Sequence, residues 1–105
     1  MMYVLEITEA AAEDAEMIRK WYEEQQKDLG NKFIDALQTA GQKLLANPQA
    51  FSIWKKNIRR IILSPFAYKV YYRIDGEKVI IFLIAHERRS NQFLKRRIKN
   101  QEFNP

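Results

Sequence analysis

From Lys55 onward the chain is studded with basic side chains, among them Lys55, Lys56, Arg59, Arg60, Lys69, Arg73, His86, Arg88, Arg89, Lys95, Arg96, Arg97 and Lys99. Side chains of this kind, gathered on one side of a domain, neutralise phosphates or carboxylates, and their affinity for a polyanion falls with salt. His86 is the single histidine, and so the one side chain whose ordinary titration lies near neutral pH. General acid or base work is open to it. The bland reading is a hydrogen-bonded residue at the end of a strand. Tyr71 and Tyr72 sit among the cations and offer faces for stacking on bases. The competing reading is cross-strand packing.

Composition bounds what these residues can serve. The chain has 105 residues, 47% of them hydrophobic and 12% aromatic, which suits one domain with a real core. It has no Cys, which removes disulfides and Cys-ligated zinc. No phosphate-binding glycine loop, zinc spacing or nucleophile elbow is present, so neither cofactor nor metal is expected. The start, "MMYVLEITEAAAEDAE", lacks the basic opening of a signal peptide. The longest apolar run is about seven residues, against the roughly 20 of a membrane helix. A soluble, cytoplasmic protein is the expectation.

The net charge of +5 is unevenly placed. Residues 1–30 are mostly acidic and the chain from Lys55 is mostly basic, which points to a polyanionic partner, a nucleic acid or an acidic protein. A solubilising excess of charge is the alternative.

The periodicity predicts the elements that hold these residues. "YVLEI" (3–7) reads as a short strand. Thr8 is a helix N-cap, with Glu9, Glu13 and Asp14 following. Ala11, Ala15, Ile18 and Tyr22 form one helix face. Leu29-Gly30-Asn31 reads as the end of that helix, with Gly30 as its terminal glycine and Asn31 as the next cap. Phe33, Leu37, Ala40 and Leu44 stripe a second helix that stops at Asn47-Pro48. So short a link makes the two an antiparallel hairpin.

"FSIWKKN" then reads as a connector or weak edge segment, and "IRRIIL" (58–63) as a strand. Arg59 and Arg60 must point to opposite faces of that strand. The core-side one needs an acid, such as Glu87 or one from the first helix, or backbone carbonyls. "YKVYYRI" puts Tyr68, Val70, Tyr72 and Ile74 on one face and Lys69, Tyr71 and Arg73 on the other. Asp75-Gly76 is the predicted hairpin turn. "KVIIFLIA" is apolar on both faces and must be covered on both. The helical hairpin covers one. The tail "SNQFLKRRIKN", read as a short C-terminal helix or a tail with Phe93, Leu94 and Ile98 as its apolar side, an irregular segment or a partner must cover the other. The predicted fold is α+β: β-α-α-β-β-β, a helical hairpin on a mainly antiparallel sheet.

These residues resemble a known family. "IRRIILSPFAYKVYYRIDGEKVIIFLIAHERR" is similar to the RelE/ParE superfamily of toxins from type II toxin–antitoxin pairs, often called plasmid stabilisation proteins. The likeness lies in Arg59 at the strand start, in Pro65, Phe66 and Tyr68, in the Tyr-Tyr-Arg strand and its turn, and in His86 with Arg89. "ITEAAAEDAEMIRKWYEEQQKDLGNKFIDAL" resembles the superfamily's helical hairpin. The resemblance covers nearly the whole chain and implies one RelE/ParE-like toxin domain over residues 1–105.

It implies two activities. ParE-like members poison DNA gyrase, and RelE-like members are metal-independent endoribonucleases that cut mRNA in the ribosomal A site. The nuclease pattern is matched in part. Arg59 (or Arg60), Lys69 and Arg89 fall where nuclease cations lie, and His86 offers a proton carrier. No Tyr follows Tyr72, and Lys69 stands where Arg is common, without Arg's bidentate fork. The balance favours a ParE-like growth inhibitor over the mRNA endonuclease. A non-toxic member that binds antitoxin and DNA is the third reading.

In each case a cognate antitoxin, acidic or amphipathic, is the expected partner. Its carboxylates would meet Arg88, Arg89, Arg96 and Arg97, with Arg60 and Arg73 as further antitoxin or nucleic-acid contacts.

Overall fold

Thr8 begins the first helix as its place in the sequence predicts. Its hydroxyl accepts the Ala11 amide at 3.2 Å and satisfies one of the helix's free donors. The computed structural model describes residues 2–102. Its elements are β1 (Val4–Ile7), α1 (Glu9–Gln25), α2 (Leu29–Ala46), β2 (Ile53–Lys55), β3 (Ile58–Ile62), β4 (Tyr68–Asp75), β5 (Lys78–His86) and α3 (Asn91–Glu102).

The expected order of strand, helical hairpin and antiparallel strands is present. The segment read as a connector contributes β2, so the sheet has five strands in the order β1-β5-β4-β3-β2. β1 lies parallel to β5 and the other neighbours are antiparallel.

Two local predictions are corrected. Leu29-Gly30-Asn31 opens α2 rather than closing α1, which ends at Gln25. Asp28 precedes α2 in the left-handed region (φ 69) without a side-chain cap. Glu23 of α1 supplies the acceptor instead, taking the Asp28 amide at 3.0 Å and the Gly30 amide at 3.1 Å. Gly30 is needed because the helices touch there. A Cβ on it would lie 2.7 Å from the Arg19 carbonyl oxygen.

The β4–β5 turn is also shifted by one residue. Asp75 pairs with Lys78, so the two turn residues are Gly76 and Glu77. Gly76 has φ +60, which a II′ hairpin requires at that position.

The core has two layers because β5 is apolar on both faces, with Val79 to Ala85 all buried. On one face α1 and α2 bring Ala11, Ala15, Ile18, Phe33, Ala40 and Leu44 onto Val70, Tyr72, Val79, Ile81 and Ile84. Tyr22, Phe33, Phe66 and Tyr68 meet ring to ring at 4.8–6.2 Å in that layer. Tyr71 pairs with Leu83 and Tyr72 with Ile81, which leaves Phe82 as an extra residue. This bulge places both Phe82 and Leu83 in the second layer, with Ile58, Tyr71, Ala85 and Leu94.

α3 therefore covers the face whose cover the sequence left open. Leu94 is buried, and Phe93 and Ile98 pack beside it. One fully buried Leu contributes about 2 kcal/mol. Tyr71 and Tyr72 are 3% and 0% exposed, so both serve as core and neither presents a face to a base.

Candidate functional site

β1 stops at Ile7, and the chain turns away after the Thr8 amide donates to the Ile81 carbonyl. Beyond that point the outer edge of β5 has no neighbouring strand. One ion pair closes it. Asp14 of α1 accepts the Ile84 amide at 3.1 Å through Oδ2. Arg97 of α3 donates to the Phe82 carbonyl at 3.2 Å. The same guanidinium grips both Asp14 oxygens, Nη1 to Oδ2 at 2.8 Å and Nη2 to Oδ1 at 3.0 Å. The pair is mostly buried, and its hydrogen bonds hold the Arg97 guanidinium above its ordinary pKa.

Next to this pair, α1 and the end of β5 enclose a slot of about 250 Å³. Met17, Ile18 and Trp21 of α1 form one wall, and Tyr68, His86, Arg89 and Phe93 form much of the rest. Met17 is 72% exposed and Trp21 53%, so the wall is apolar surface left in water. The rim is basic. The Arg89 guanidinium lies over the Phe93 ring, 4.5 Å from its centre. His86 meets Tyr68 edge-on with centroids 5.2 Å apart. His86 Nδ1 accepts the Arg88 amide at 3.1 Å, which orients the imidazole. Burial pushes the Tyr68 phenol above its ordinary pKa, and Arg89 pulls the other way.

The nuclease-type residues do not converge. Arg59 lies opposite Tyr72 on the helical-hairpin face and donates to the carbonyls of Gln49 (3.0 Å) and Phe51 (2.7 Å). Of the two partners open to a core-side arginine, carbonyls are the ones it finds. Lys69 lies opposite Ile62 and Ala85, on the other face. His86 and Arg89 alone share the slot.

The contact set is divided as well. Arg60 and Arg73 are half-buried, opposite Tyr71 and Ile58 on the α3 side. Arg88 and Arg96 are exposed. Arg97 is engaged by Asp14. Sequence reasoning missed Met17 and Trp21, although their i, i+4 spacing beside the core stripe marks a second apolar strip on α1.

A five-stranded sheet with a helical hairpin on one face is the fold of the small RelE/ParE-type toxins. The family model for the ParE toxin of the type II toxin–antitoxin system parDE matches residues 5–91. The chain belongs to that family.

Solved structures agree in fold. The chromosomal ParDE toxin–antitoxin system from P. aeruginosa gives a TM-score of 0.71 at 21% identity, covering 81% of this chain and 96% of that one. A mutant of E. coli toxin RelE in the free state gives 0.64 at 14% identity, covering 95% and 98%. The isolated E. coli RelE toxin gives 0.55 at 17% identity, covering 93% and 97%. No curated protein matches the sequence. Among the described residues no helix is long and apolar enough to cross a membrane.

Proposed function

We propose that this toxin is a ParE-like growth inhibitor that acts on DNA gyrase in the cytoplasm and is neutralised by a cognate antitoxin. The observation that carries this reading is the state of Arg59. Its guanidinium is spent on two backbone carbonyls, on the opposite face of the sheet from Lys69. A phosphate-cleaving site needs its cations around one phosphate, within reach of the charge that develops there. Arg59 and Lys69 are not so placed. Arg60, the alternative, shares the face of Lys69, but neither lines the slot that holds His86 and Arg89, and the family match points the same way.

The antitoxin follows from the slot. Exposed Met17 and Trp21 in the same slot as Arg89 suit a segment that is apolar on one side and acidic on the other. The P. aeruginosa relative is a toxin–antitoxin system, and the same pairing is proposed here.

Three measurements test the reading together: growth on induction without a partner, supercoiling by purified gyrase with added toxin, and cleavage of ribosome-bound mRNA. Growth arrest with loss of supercoiling and intact mRNA is the expected result. Intact supercoiling with mRNA cut on ribosomes overturns it in favour of the endonuclease. That second reading rests on one feature, the meeting of His86, Tyr68 and Arg89 in the slot. It requires that Lys69→Gln with Arg89→Gln abolish toxicity while the protein stays folded. Unchanged growth overturns both and leaves the non-toxic, antitoxin- and DNA-binding member.

A further inference from the structure

A second groove, of about 330 Å³, runs between the β2–β3 turn and α3. Its floor is Ile58 and Ile98. Its walls are Lys55 and Lys56 on one side and Lys95 and Lys99 on the other, and no acid lines it. Among the described residues, none of the four ammoniums has a carboxylate within ion-pair distance. α3 pairs its Arg97 with Asp14.

Folding thus brings four like charges together from segments some forty residues apart. That repulsion is unfavourable unless an anion relieves it. Arg73, opposite Ile58 across the β3–β4 ladder, adds a fifth cation at the margin. Lys56 also sits at φ +50, a conformation that costs an ordinary residue about 1 kcal/mol and that Gly adopts freely. α3 begins where the family match ends, so Lys95 and Lys99 lie beyond what the family model spans.

The geometry points to this groove as a seat for the phosphate backbone of duplex DNA, held without sequence preference. Ammoniums on flexible stems are point-charge partners for phosphate, with no fork to read a base edge. Single strands are ordinarily bound by exposed aromatic platforms. The aromatic rings near this groove are committed inward: Tyr71 is 3% exposed, and Trp54 is stacked edge-on against it at 5.6 Å. An intact duplex, offering only phosphates to a two-walled cleft, suits it best. The proposal stands apart from the choice of toxic target, because it is read from binding alone.

Anisotropy of a fluorescein-labelled duplex of mixed sequence, titrated with the full-length toxin across a salt series, tests it. Four phosphate contacts give a log–log salt slope of about −3.6, a loss of about a hundredfold in affinity between roughly 50 and 200 mM salt. Replacing Lys55, Lys56, Lys95 and Lys99 with Gln should flatten the slope by between about three and four. The control removes the same charge from the helical hairpin, with Gln at Lys20, Lys27, Lys32 and Lys43, all exposed. It should leave the slope unchanged.

Lys56→Gly separates folding from binding. It relieves the left-handed lysine and should melt no lower than the parent protein, while losing about one unit of slope. Equal losses in groove and control variants would reduce the effect to net charge and overturn the proposal. Tighter binding of the matching single strand would do the same. So would binding of poly-glutamate with no binding of the duplex, which would assign the groove to an acidic polypeptide.

Discussion

Tyr72 and Arg59 bring polarity and charge toward the interior, and each is matched to backbone carbonyls. Tyr72 is fully buried, and its hydroxyl donates to the Pro48 carbonyl at 2.6 Å. That bond ties β4 to the segment leaving α2, where Arg59 holds the Gln49 and Phe51 carbonyls. Burial pushes the Tyr72 phenol up to about 12, against the opposing pull of Arg59. Its neutral form is the one folding favours. The stability it contributes is therefore complete below its unfolded value near 10 and is lost as pH rises toward 12. Tyr72→Phe should cost about 1–2 kcal/mol at neutral pH by stranding the Pro48 oxygen. It should also flatten the alkaline part of a stability–pH curve from urea melts. Some slope should persist, since burial raises Tyr22 and Tyr68 as well. A variant with the parent's full alkaline loss would show that Tyr72 is not its source.

The Asp14–Arg97 pair acts at the same scale with a longer reach. Arg97→Gln or Asp14→Asn leaves one charged partner mostly buried and alone, a loss of about 2 kcal/mol. The double variant should cost less than the two single losses added. Hydrogen exchange at the Ile84 amide, which Asp14 accepts, should quicken in the Asp14→Asn protein. An Ile84 amide as protected as in the parent would mean that something else closes the β5 edge.

Among the elements, the α1–α2 hairpin depends on one close contact. Gly30 lets the start of α2 approach the Arg19 carbonyl. Gly30→Ala ordinarily favours a helix by up to about 1 kcal/mol. Here the new methyl meets backbone, which cannot yield as a flexible side chain can. The expected outcome is net destabilisation of about 1–3 kcal/mol, read as a lower midpoint in urea. Gly76→Ala at the β4–β5 turn should also destabilise, for a different reason. The space there is open, and the penalty comes from φ +60 alone. α3 is the most lightly held element: it buries Leu94, with Phe93 and Ile98 partly covered, and is pinned by Arg97.

For the whole molecule, the uneven charge sets how a partner arrives. Acid clusters on α1, and base on the β2–β3 turn, the end of β5 and α3. The acidic antitoxin proposed above would be drawn to the basic end by long-range attraction that salt screens. Raising salt should slow its association more than it speeds its release, because rim charges act mainly on encounter. Measuring both rates across a salt series checks this, and an association rate indifferent to salt would place the contact away from the basic rim.

Much of this architecture was legible in the linear sequence. The Thr8 cap, the 3.6-residue stripes of α1 and α2, the alternation of β4 and the two-sided apolar run of β5 are local patterns, and local patterns survive folding. What stayed hidden was pairing at a distance. Asp14 and Arg97 are 83 residues apart, and nothing in either neighbourhood marks them as partners. Gly30 looked like a helix end because the helix contact that requires it is tertiary. Alternation sent Arg59 and Arg60 to opposite faces, but only the fold decided that Arg59 would be spent on carbonyls and that α3 would lie over the sheet. Periodicity along one strand or helix is set by backbone geometry, whereas the meeting of two elements is set by the packing of all of them at once.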